Sequence, residues 1–308
     1  MTIRRNKPNT FIVGAPKCGT TALANYLNQH KNVFFSALKE PHYFSNSDMP
    51  GYSYGMSIDE YLDLFDSAKR DHSVIAEGSV WYLKGPTALS QIYNFDPAAK
   101  IIVMLRRPDE MLYSMHNTNL GVYAEDIKSF ELAWFTSLKG ERQWNKKNKF
   151  CRDPSTLDYA SIAKFGTQIE RLLEIFPKNQ VKIIFFEDFK TRTESVFRSV
   201  ENFLTLKNDN NIHFQVINES SINKWDWIGK FVHRPPQWLV KPVVLARSKI
   251  GLGELGIINR LNKVNTIPNK LPALPEHVTD SIITHHHTEI EKLSSITNRD
   301  LSSWLETN

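Results

Sequence analysis

The sequence predicts an α/β fold, in which a central, mostly parallel sheet is flanked by helices and the C-terminal third adds a helical wrap. Two observations lead to this prediction. Short apolar runs alternate with segments of helical periodicity up to about residue 205, after which loops and helices follow. The apolar runs also lack the polar alternation of a half-exposed strand, which indicates strands covered on both faces.

The predicted strands are short and end at polar or small residues. The clearest begins at Lys100, because every residue from 101 to 105 is large and apolar. Right-handed crossovers through the intervening helices would join the strands into one sheet. The predicted strands are Thr10–Val13, Val33–Phe35, Val74–Glu77, Lys100–Leu105 and Val181–Phe186.

Apolar residues recur at helical spacing between and after these strands. The longest predicted helix, Tyr159–Phe176, carries an apolar stripe and ends before Pro177. Another begins at Pro108, a residue that suits the first turn of a helix. The remaining predicted helical segments are Thr20–Gln29, Ser57–Ala68, Phe130–Gly140, Glu194–Leu204 and Glu276–Leu305.

Length and composition favour one globular domain. The chain has 308 residues, of which 41% are hydrophobic and 23% are charged, an ordinary globular balance. We expect a single domain over residues 1–308, with a core at about 9–205 and a C-terminal helical extension at about 206–308. The net charge of +5 favours anionic ligands, but the basic residues are scattered, so the sequence does not predict nucleic-acid binding.

Cysteine content and hydropathy bear on location. Two cysteines are too few for a disulfide framework, and no signal peptide or apolar stretch of about 20 residues is evident. These features predict a cytoplasmic protein. The stretch 238–263 mixes apolar and basic residues, so peripheral contact with a membrane is an alternative to packing on the core. The oligomeric state is not predicted.

The segment between the first strand and the first helix has the pattern of an anion-binding loop. Gly14 and Gly19 enclose a short loop with one lysine, Lys17, and the helix begins at Thr20. A strand, a glycine loop and a helix start together present backbone N–H groups at the positive end of a helix. This arrangement suits a phosphate group.

The loop departs from the P-loop pattern, G-x-x-x-x-G-K-[ST], at one position. Both glycines stand at the expected spacing, but Thr20 occupies the lysine position, and the lysine lies inside the loop at Lys17. A P-loop small-molecule kinase would also need an acidic residue for Mg²⁺, which Glu77 could supply. The kinase is the alternative interpretation, although it lacks the lysine after Gly19.

This altered loop resembles a known motif. Gly-x-x-Lys-x-Gly-Thr-Thr after an N-terminal strand is similar to the 5′-phosphosulfate loop of sulfotransferases that use 3′-phosphoadenosine 5′-phosphosulfate (PAPS). Within that family the chain is most similar to the carbohydrate branch of heparan-sulfate-type and bacterial sulfotransferases. The resemblance implies a P-loop-like three-layer fold, PAPS as donor, 3′-phosphoadenosine 5′-phosphate (PAP) as product, and no metal. It implies a catalytic Lys17 and donor contacts from Lys17, Cys18, Gly19, Thr20 and Thr21.

A second stretch resembles the segment that binds the 3′-phosphate in this family. It comprises Leu105-Arg106-Arg107-Pro108, with Ser114 following on the next helix. Arginine presents a planar fork of donors that fits a phosphate. The resemblance assigns Arg106 and Ser114 to the 3′-phosphate. Lys224 is a candidate contact from the segment that would close over the adenine.

A third stretch resembles the part of the family's site that carries the base. Lys39-Glu40-Pro41-His42-Tyr43-Phe44 is similar to the Lys-Glu-x-His-Phe-Phe stretch of glycan sulfotransferases, in which the glutamate is the catalytic base. The resemblance implies that Glu40 accepts the proton of the acceptor. His42 is implied either to orient the acceptor or to take the role of base itself.

The fourth stretch resembles the acceptor-lining segment Glu-Lys-Ser-Pro-x-Tyr. It is Glu77-Gly78-Ser79-Val80-Trp81-Tyr82, in which Gly78 replaces the lysine and Val80 the proline. The aromatic rings suit a glycan or glycolipid acceptor, and they suit a lipid or polyketide hydroxyl as well. The implied substrate contacts are Tyr43, Phe44, Ser79, Trp81 and Tyr82.

Two other interpretations have less support. A non-catalytic binding protein would not need the full set of Lys17, Glu40, Arg106 and Ser114. The run His285-His286-His287 lacks the i, i+4 spacing of a helical metal-binding pair, so it does not predict a metal site.

Overall fold

The computed structural model describes residues 5–142, 148–215, 221–223, 266–268 and 271–306. Its centre is a parallel five-stranded sheet in the order β2-β3-β1-β4-β5, flanked by helices. The connection from β1 runs towards β2 and the connection from its neighbour β4 runs towards β5, so the two diverge between β1 and β4, near the middle of the sheet. Ligand crevices form at such a point, beyond the carboxyl ends of the strands. The strands are β1 (Thr10–Gly14), β2 (Val33–Phe35), β3 (Val74–Glu77), β4 (Lys100–Leu105) and β5 (Val181–Phe185).

The register of β4 and β5 determines which residues meet at this crevice. Leu105 of β4 pairs with Phe185 of β5. Arg106 and Phe186 therefore leave neighbouring strands side by side. The strands match the predicted ones to within one residue, because their apolar runs are buried between helix layers.

Helices form much of the described chain between and after the strands. The helix α2 begins with a capping box, in which Ser57 and Glu60 each bind the other's backbone N–H. The helices are α1 (Thr20–Gln29), α2 (Ile58–Asp63), α3 (Ala88–Phe95), α4 (Pro108–Gly121), α5 (Phe130–Leu138), α6 (Tyr159–Ile162), α7 (Phe165–Ile175), α8 (Phe186–Thr191), α9 (Thr193–Phe203), α10 (Glu276–Thr297) and α11 (Ser302–Leu305).

The predicted helix at 159–176 was wrong in one respect, since it forms two helices, α6 and α7. The chain bends at Ala163 and Lys164, and the Gln168 side chain donates to the freed carbonyl of Ile162 at 3.0 Å. The last predicted helical segment is likewise divided, because Asn298 takes a left-handed conformation after α10. The short helices α3 and α8 were not predicted.

The C-terminal helix α10 packs on the core against α4 and α7. Gly166 on α7 allows a close approach, because a Cβ there would lie 2.5 Å from the carbonyl oxygen of Glu289. The indole N–H of Trp134 donates to Ser281 at 3.0 Å. This packing agrees with a wrap on one domain, and the division of residues 1–308 stays a prediction.

A short antiparallel pair lies outside the main sheet. It joins β6 (Ser221–Asn223) to β7 (Thr266–Pro268), and β6 is next to α4. Across the described ranges, no helix is both long enough and apolar enough to span a bilayer.

Candidate active site

The loop after β1 has the geometry of an anion nest. Lys17 and Gly19 both have left-handed backbone conformations, with φ of 62° and 88°. Among the described residues no side-chain hydrogen bond caps the start of α1, where the first N–H groups of a helix have no intrahelical partner. Successive N–H groups in this conformation, at the positive end of a helix, form a concave site for an anion.

Two glycines make this loop sterically feasible. A Cβ at Gly14 would lie 2.8 Å from the Cβ of Leu83. A Cβ at Gly19 would lie 3.1 Å from the Phe186 ring, in a backbone conformation that side chains disfavour. The glycine spacing of the motif therefore follows from close packing of the loop against neighbouring segments.

Charged residues at both predicted ends of the site affect the pKa of Lys17. Burial and the nearby Arg106 charge lower its pKa, while Glu40 acts in the opposite direction. Three residues from distant parts of the sequence thus share one electrostatic environment. Cys18 differs, because its thiol is fully buried, it contacts the carbonyl of Pro16 at 3.4 Å, and burial raises its pKa. A donor contact from Cys18 stays a prediction.

Arg106 is positioned by two side chains. Its guanidinium lies over the Phe186 ring at 4.6 Å, and its Nε donates to Glu110 at 2.8 Å. Within the described part of the chain these contacts leave the two terminal nitrogens of Arg106 available to an anion. Arg106 and Ser114 line the same cavity of about 320 Å³, together with Tyr113 and residues 271–274.

The neighbouring arginine, Arg107, lines the same cavity, but each of its guanidinium nitrogens is hydrogen-bonded within the protein. Arg107 binds Asp109 at 2.9 Å and donates to the carbonyls of Ser303 and Glu306 at 3.2 and 2.6 Å. These bonds hold the C-terminal segment on the core. The remaining predicted donor contact, Lys224, lies outside the described residues.

Glu40 is held between two cationic or donor groups. Lys39 Nζ lies 2.5 Å from one carboxylate oxygen, and His42 Nε2 lies 3.2 Å from the other. Burial would raise the pKa of Glu40, but the hydrogen bond from His42 and the Lys39 charge prevail and lower it to about 2. Because an ionised carboxylate only accepts hydrogen bonds, His42 donates through Nε2–H.

The predicted acceptor contacts divide by exposure. Tyr43 is half-buried and stacks on Tyr61 with ring centroids 4.3 Å apart. The other four side chains are buried, with at most 4% of their surface exposed: Phe44, Ser79, Trp81 and Tyr82. The structure therefore places them behind the site surface rather than on it, and their contact with an acceptor stays a prediction.

Two residues near the site had no sequence signal of their own. Phe186 was read as part of a structural strand, yet its ring packs against Arg106 and beside Gly19. Tyr52 lies outside every predicted strand and helix, yet its ring is 5.4 Å from that of His42 and 5.9 Å from that of Trp81. Both contacts depend on tertiary packing.

The three consecutive histidines do not come together as a metal site. His286 is buried, and its Nδ1 contacts the carbonyl of Ile282 at 2.9 Å, while His285 contacts the carbonyl of Ala160 at 3.1 Å. Among the residues that the structure describes, no group of three or more His, Cys, Asp or Glu side chains could hold a metal ion. The absence of a metal requirement stays a prediction.

The sequence that forms this fold and site matches a known domain family. A family model described as the sulfotransferase domain matches residues 7–227. The chain belongs to the sulfotransferase family. This confirms the resemblance drawn from the loop and the three later stretches, and it leaves the P-loop kinase without support.

Curated relatives of this sulfotransferase are named for carbohydrate acceptors. Carbohydrate sulfotransferase 15 of Mus musculus is 28% identical over 246 residues, which cover 65% of this chain and 44% of that protein. The bifunctional heparan sulfate N-deacetylase/N-sulfotransferase 1 of Caenorhabditis elegans is 23% identical over 209 residues, covering 66% and 22%. The chain spans less than half the length of either relative.

Solved structures confirm the predicted fold of the sulfotransferase. A sulfotransferase from Alicyclobacillus acidocaldarius matches with a TM-score of 0.70 at 24% identity, covering 98% of this chain and 100% of that one. A mouse sulfotransferase, SULT7A1, complexed with PAP matches with a TM-score of 0.51 at 13% identity, covering 97% and 88%. At these identities the likeness shows the fold alone.

Proposed function

We propose that this sulfotransferase moves a sulfuryl group from PAPS to a hydroxyl or amine of a glycan or glycolipid, with Glu40 as base. One observation carries the proposal. The Lys17 backbone forms part of an anion nest, and its ammonium is close enough to Arg106 and Glu40 for both charges to act on its pKa. A cation placed in this way can serve a donor bound on one side and an acceptor activated on the other.

The residues present fit a donor with phosphates at two ends. The uncapped start of α1 and the left-handed Lys17 and Gly19 suit the 5′-phosphate, with Thr20 and Thr21 adding N–H and hydroxyl groups. The available guanidinium nitrogens of Arg106, together with Ser114, suit the 3′-phosphate. Bound PAPS would supply a sulfuryl group attached to a phosphate that can depart.

Positioning and charge stabilisation would supply most of the catalysis. Lys17 donates to the oxygens on which negative charge grows. Glu40 accepts the proton of the acceptor, because its carboxylate is ionised and a third of its side chain is exposed. His42 donates to Glu40 through Nε2, so that nitrogen is not free to act as a base. This favours His42 as an orienting group.

The names of the relatives and the site surface support a glycan acceptor. Both curated relatives above carry carbohydrate or heparan sulfate in their names. Half-buried Tyr52 has its ring next to that of His42, and half-buried Tyr43 follows His42 directly in the sequence, so both could stack on sugar rings. A lipid or polyketide hydroxyl is the alternative acceptor.

The direct test is transfer of labelled sulfate. The chain is incubated with [³⁵S]PAPS and three acceptors: desulfated heparin, a glycolipid extract and a long-chain alcohol. We expect label in one of the first two, at a rate lower by at least about a hundredfold with Lys17→Ala. Label in the alcohol alone would overturn the glycan assignment. PAP affinity without transfer to any acceptor would instead indicate a binding protein.

Replacing Arg106 is expected to weaken nucleotide binding. Arg106→Ala should raise the Kd for PAP by about tenfold or more, the scale for losing a charge-assisted hydrogen bond. Isothermal titration calorimetry measures this. Arg107→Ala is the matched control, because Arg107 binds carbonyls of the C-terminal segment. It should lower Tm and leave the Kd for PAP nearly unchanged, and the reverse pattern would contradict the assignment.

Chelation is expected to leave turnover unchanged. The transferred group carries a single negative charge, and Lys17 and Arg106 already provide two positive charges at the site. Turnover is measured before and after dialysis against EDTA, with and without added Mg²⁺. A requirement for added Mg²⁺ would contradict the proposal.

A further inference from the structure

A fully buried carboxylate lies behind residues 39–44, the segment that carries Glu40 and His42 and is called the catalytic loop below. Glu77 ends β3, and its side chain has no exposed surface. Three hydroxyl groups donate to it: Tyr61 at 3.1 Å, Ser79 at 2.7 Å and Tyr82 at 2.8 Å. The carboxylate therefore has a complete set of donors without any contact to solvent.

Two of these hydroxyls also accept from the backbone of the catalytic loop. The His42 N–H donates to Ser79 Oγ at 2.9 Å, and the Phe44 N–H donates to Tyr82 Oη at 3.3 Å. Because each hydroxyl has a single proton, its donation to Glu77 directs its lone pairs towards the loop. The third donor, Tyr61, binds Glu77 but receives no backbone N–H from the loop among its described contacts.

The loop needs such support at His42. This residue has a left-handed conformation with φ of 50°, which is unfavourable for residues other than glycine. The conformation places the His42 ring so that Nε2 meets the Glu40 carboxylate at 3.2 Å. If the backbone at residues 42 and 44 relaxed, the His42–Glu40 bond would be lost.

We infer that Glu77 is a positioning residue, which acts through Ser79 and Tyr82 to hold His42 and thereby to aim Glu40 at the acceptor. The inference rests on the proposed function for the role of Glu40. It also gives Ser79 and Tyr82 a different role from acceptor contact, since both are fully buried between Glu77 and the loop.

The electrostatics of Glu77 argue for a role beyond packing. Burial raises its pKa to about 7, against the three hydrogen bonds that favour the charged form. Such a group is costly to keep in a core, and a well-packed apolar side chain is often as stable. Retaining the carboxylate brings a benefit if its acceptor oxygens orient the two hydroxyls.

The matched test compares hydroxyl deletions that differ in one respect. Ser79→Ala and Tyr82→Phe each remove one bond to Glu77 and one bond to the loop. Tyr61→Phe removes a bond to Glu77 and leaves both loop bonds in place. Each variant is measured for kcat with PAPS, for Kd of PAP by calorimetry, and for hydrogen exchange of the amides of His42 and Phe44.

We expect kcat to fall by about tenfold or more in Ser79→Ala, with Tyr82→Phe affected in the same direction, since each loses a loop bond. The Kd for PAP should stay within about twofold of wild type, and the His42 and Phe44 amides should exchange faster. Tyr61→Phe should retain wild-type kcat and exchange.

Three outcomes separate the possibilities. Equal effects of Tyr61→Phe and Ser79→Ala would overturn the inference and leave Glu77 a structural residue. Faster exchange without a change in kcat would also overturn it. A wild-type chain that transfers no sulfuryl group would instead refute the proposed function, while the exchange measurement would still report whether Glu77 holds the loop.

Discussion

Lys17→Ala is expected to lower kcat/KM with PAPS by at least about a hundredfold, the scale for losing one preorganised charge stabiliser. The Lys17 side chain is half-buried, and burial with the Arg106 charge lowers its pKa. An ammonium that is poorly solvated in the resting enzyme gains most when an anionic oxygen develops beside it. The loss should therefore appear in kcat as well as in KM.

The measurement is steady-state transfer from PAPS, with Lys190→Ala as the control. Lys190 is an exposed lysine of α8, so its removal changes the net charge equally without touching the nest. The control should keep nearly full activity. A near-normal rate for Lys17→Ala would remove the main support for the donor assignment, whereas a folded variant with unchanged Tm and a hundredfold loss would support it.

The fold could be predicted largely because its strands are buried on both faces. A covered strand must be apolar throughout, and runs such as Lys100–Leu105 show this without any knowledge of neighbours. The break between α6 and α7 could not be predicted in the same way. At the break the Gln168 side chain binds the Ile162 carbonyl, a local contact, and Gly166 closely approaches Glu289, a tertiary contact that the helical pattern does not show.

The site, like the fold, could be predicted only in part. Lys17, Glu40 and Arg106 occur in short motifs whose residue types reflect the chemistry, and the structure brings them into one electrostatic environment. Such motifs do not show whether a side chain is buried. The sequence predicts that Trp81 contacts the acceptor, yet only 3% of its surface is exposed. Similarly, the environment of Glu77 combines the hydroxyls of Ser79 and Tyr82 from its own stretch with that of Tyr61, which only the fold brings close.

The environment of Glu40 has a consequence for the pH dependence of activity. A base must be ionised to act, and the pKa of Glu40 is about 2, since the His42 hydrogen bond and the Lys39 charge outweigh burial. Titration of Glu40 should therefore produce no acid limb in kcat/KM above about pH 3. Lys39→Met removes one of the groups that lower this pKa, so its acid limb should move upward in pH.

Glu40→Gln is expected to lower kcat by about a hundredfold or more while the Kd for PAP stays within about twofold of wild type. The amide keeps the size of the side chain and an oxygen that can accept from His42 or Lys39, so the loop should hold its position. What the variant loses is the capacity to take the proton of the acceptor. The split between kcat and nucleotide affinity distinguishes this loss from a general disturbance of the site.

The same assay with His42→Ala decides between the two candidate bases. His42 donates to Glu40 through Nε2, and its Nδ1 is buried without a hydrogen-bond partner in the described structure, so neither nitrogen is offered to an acceptor. His42→Ala should reduce kcat by less than Glu40→Gln, because Glu40 would remain ionised but less well oriented. If His42→Ala abolished transfer and Glu40→Gln retained it, the proton would go to the histidine, and the orienting role inferred for Glu77 would then apply to the base itself.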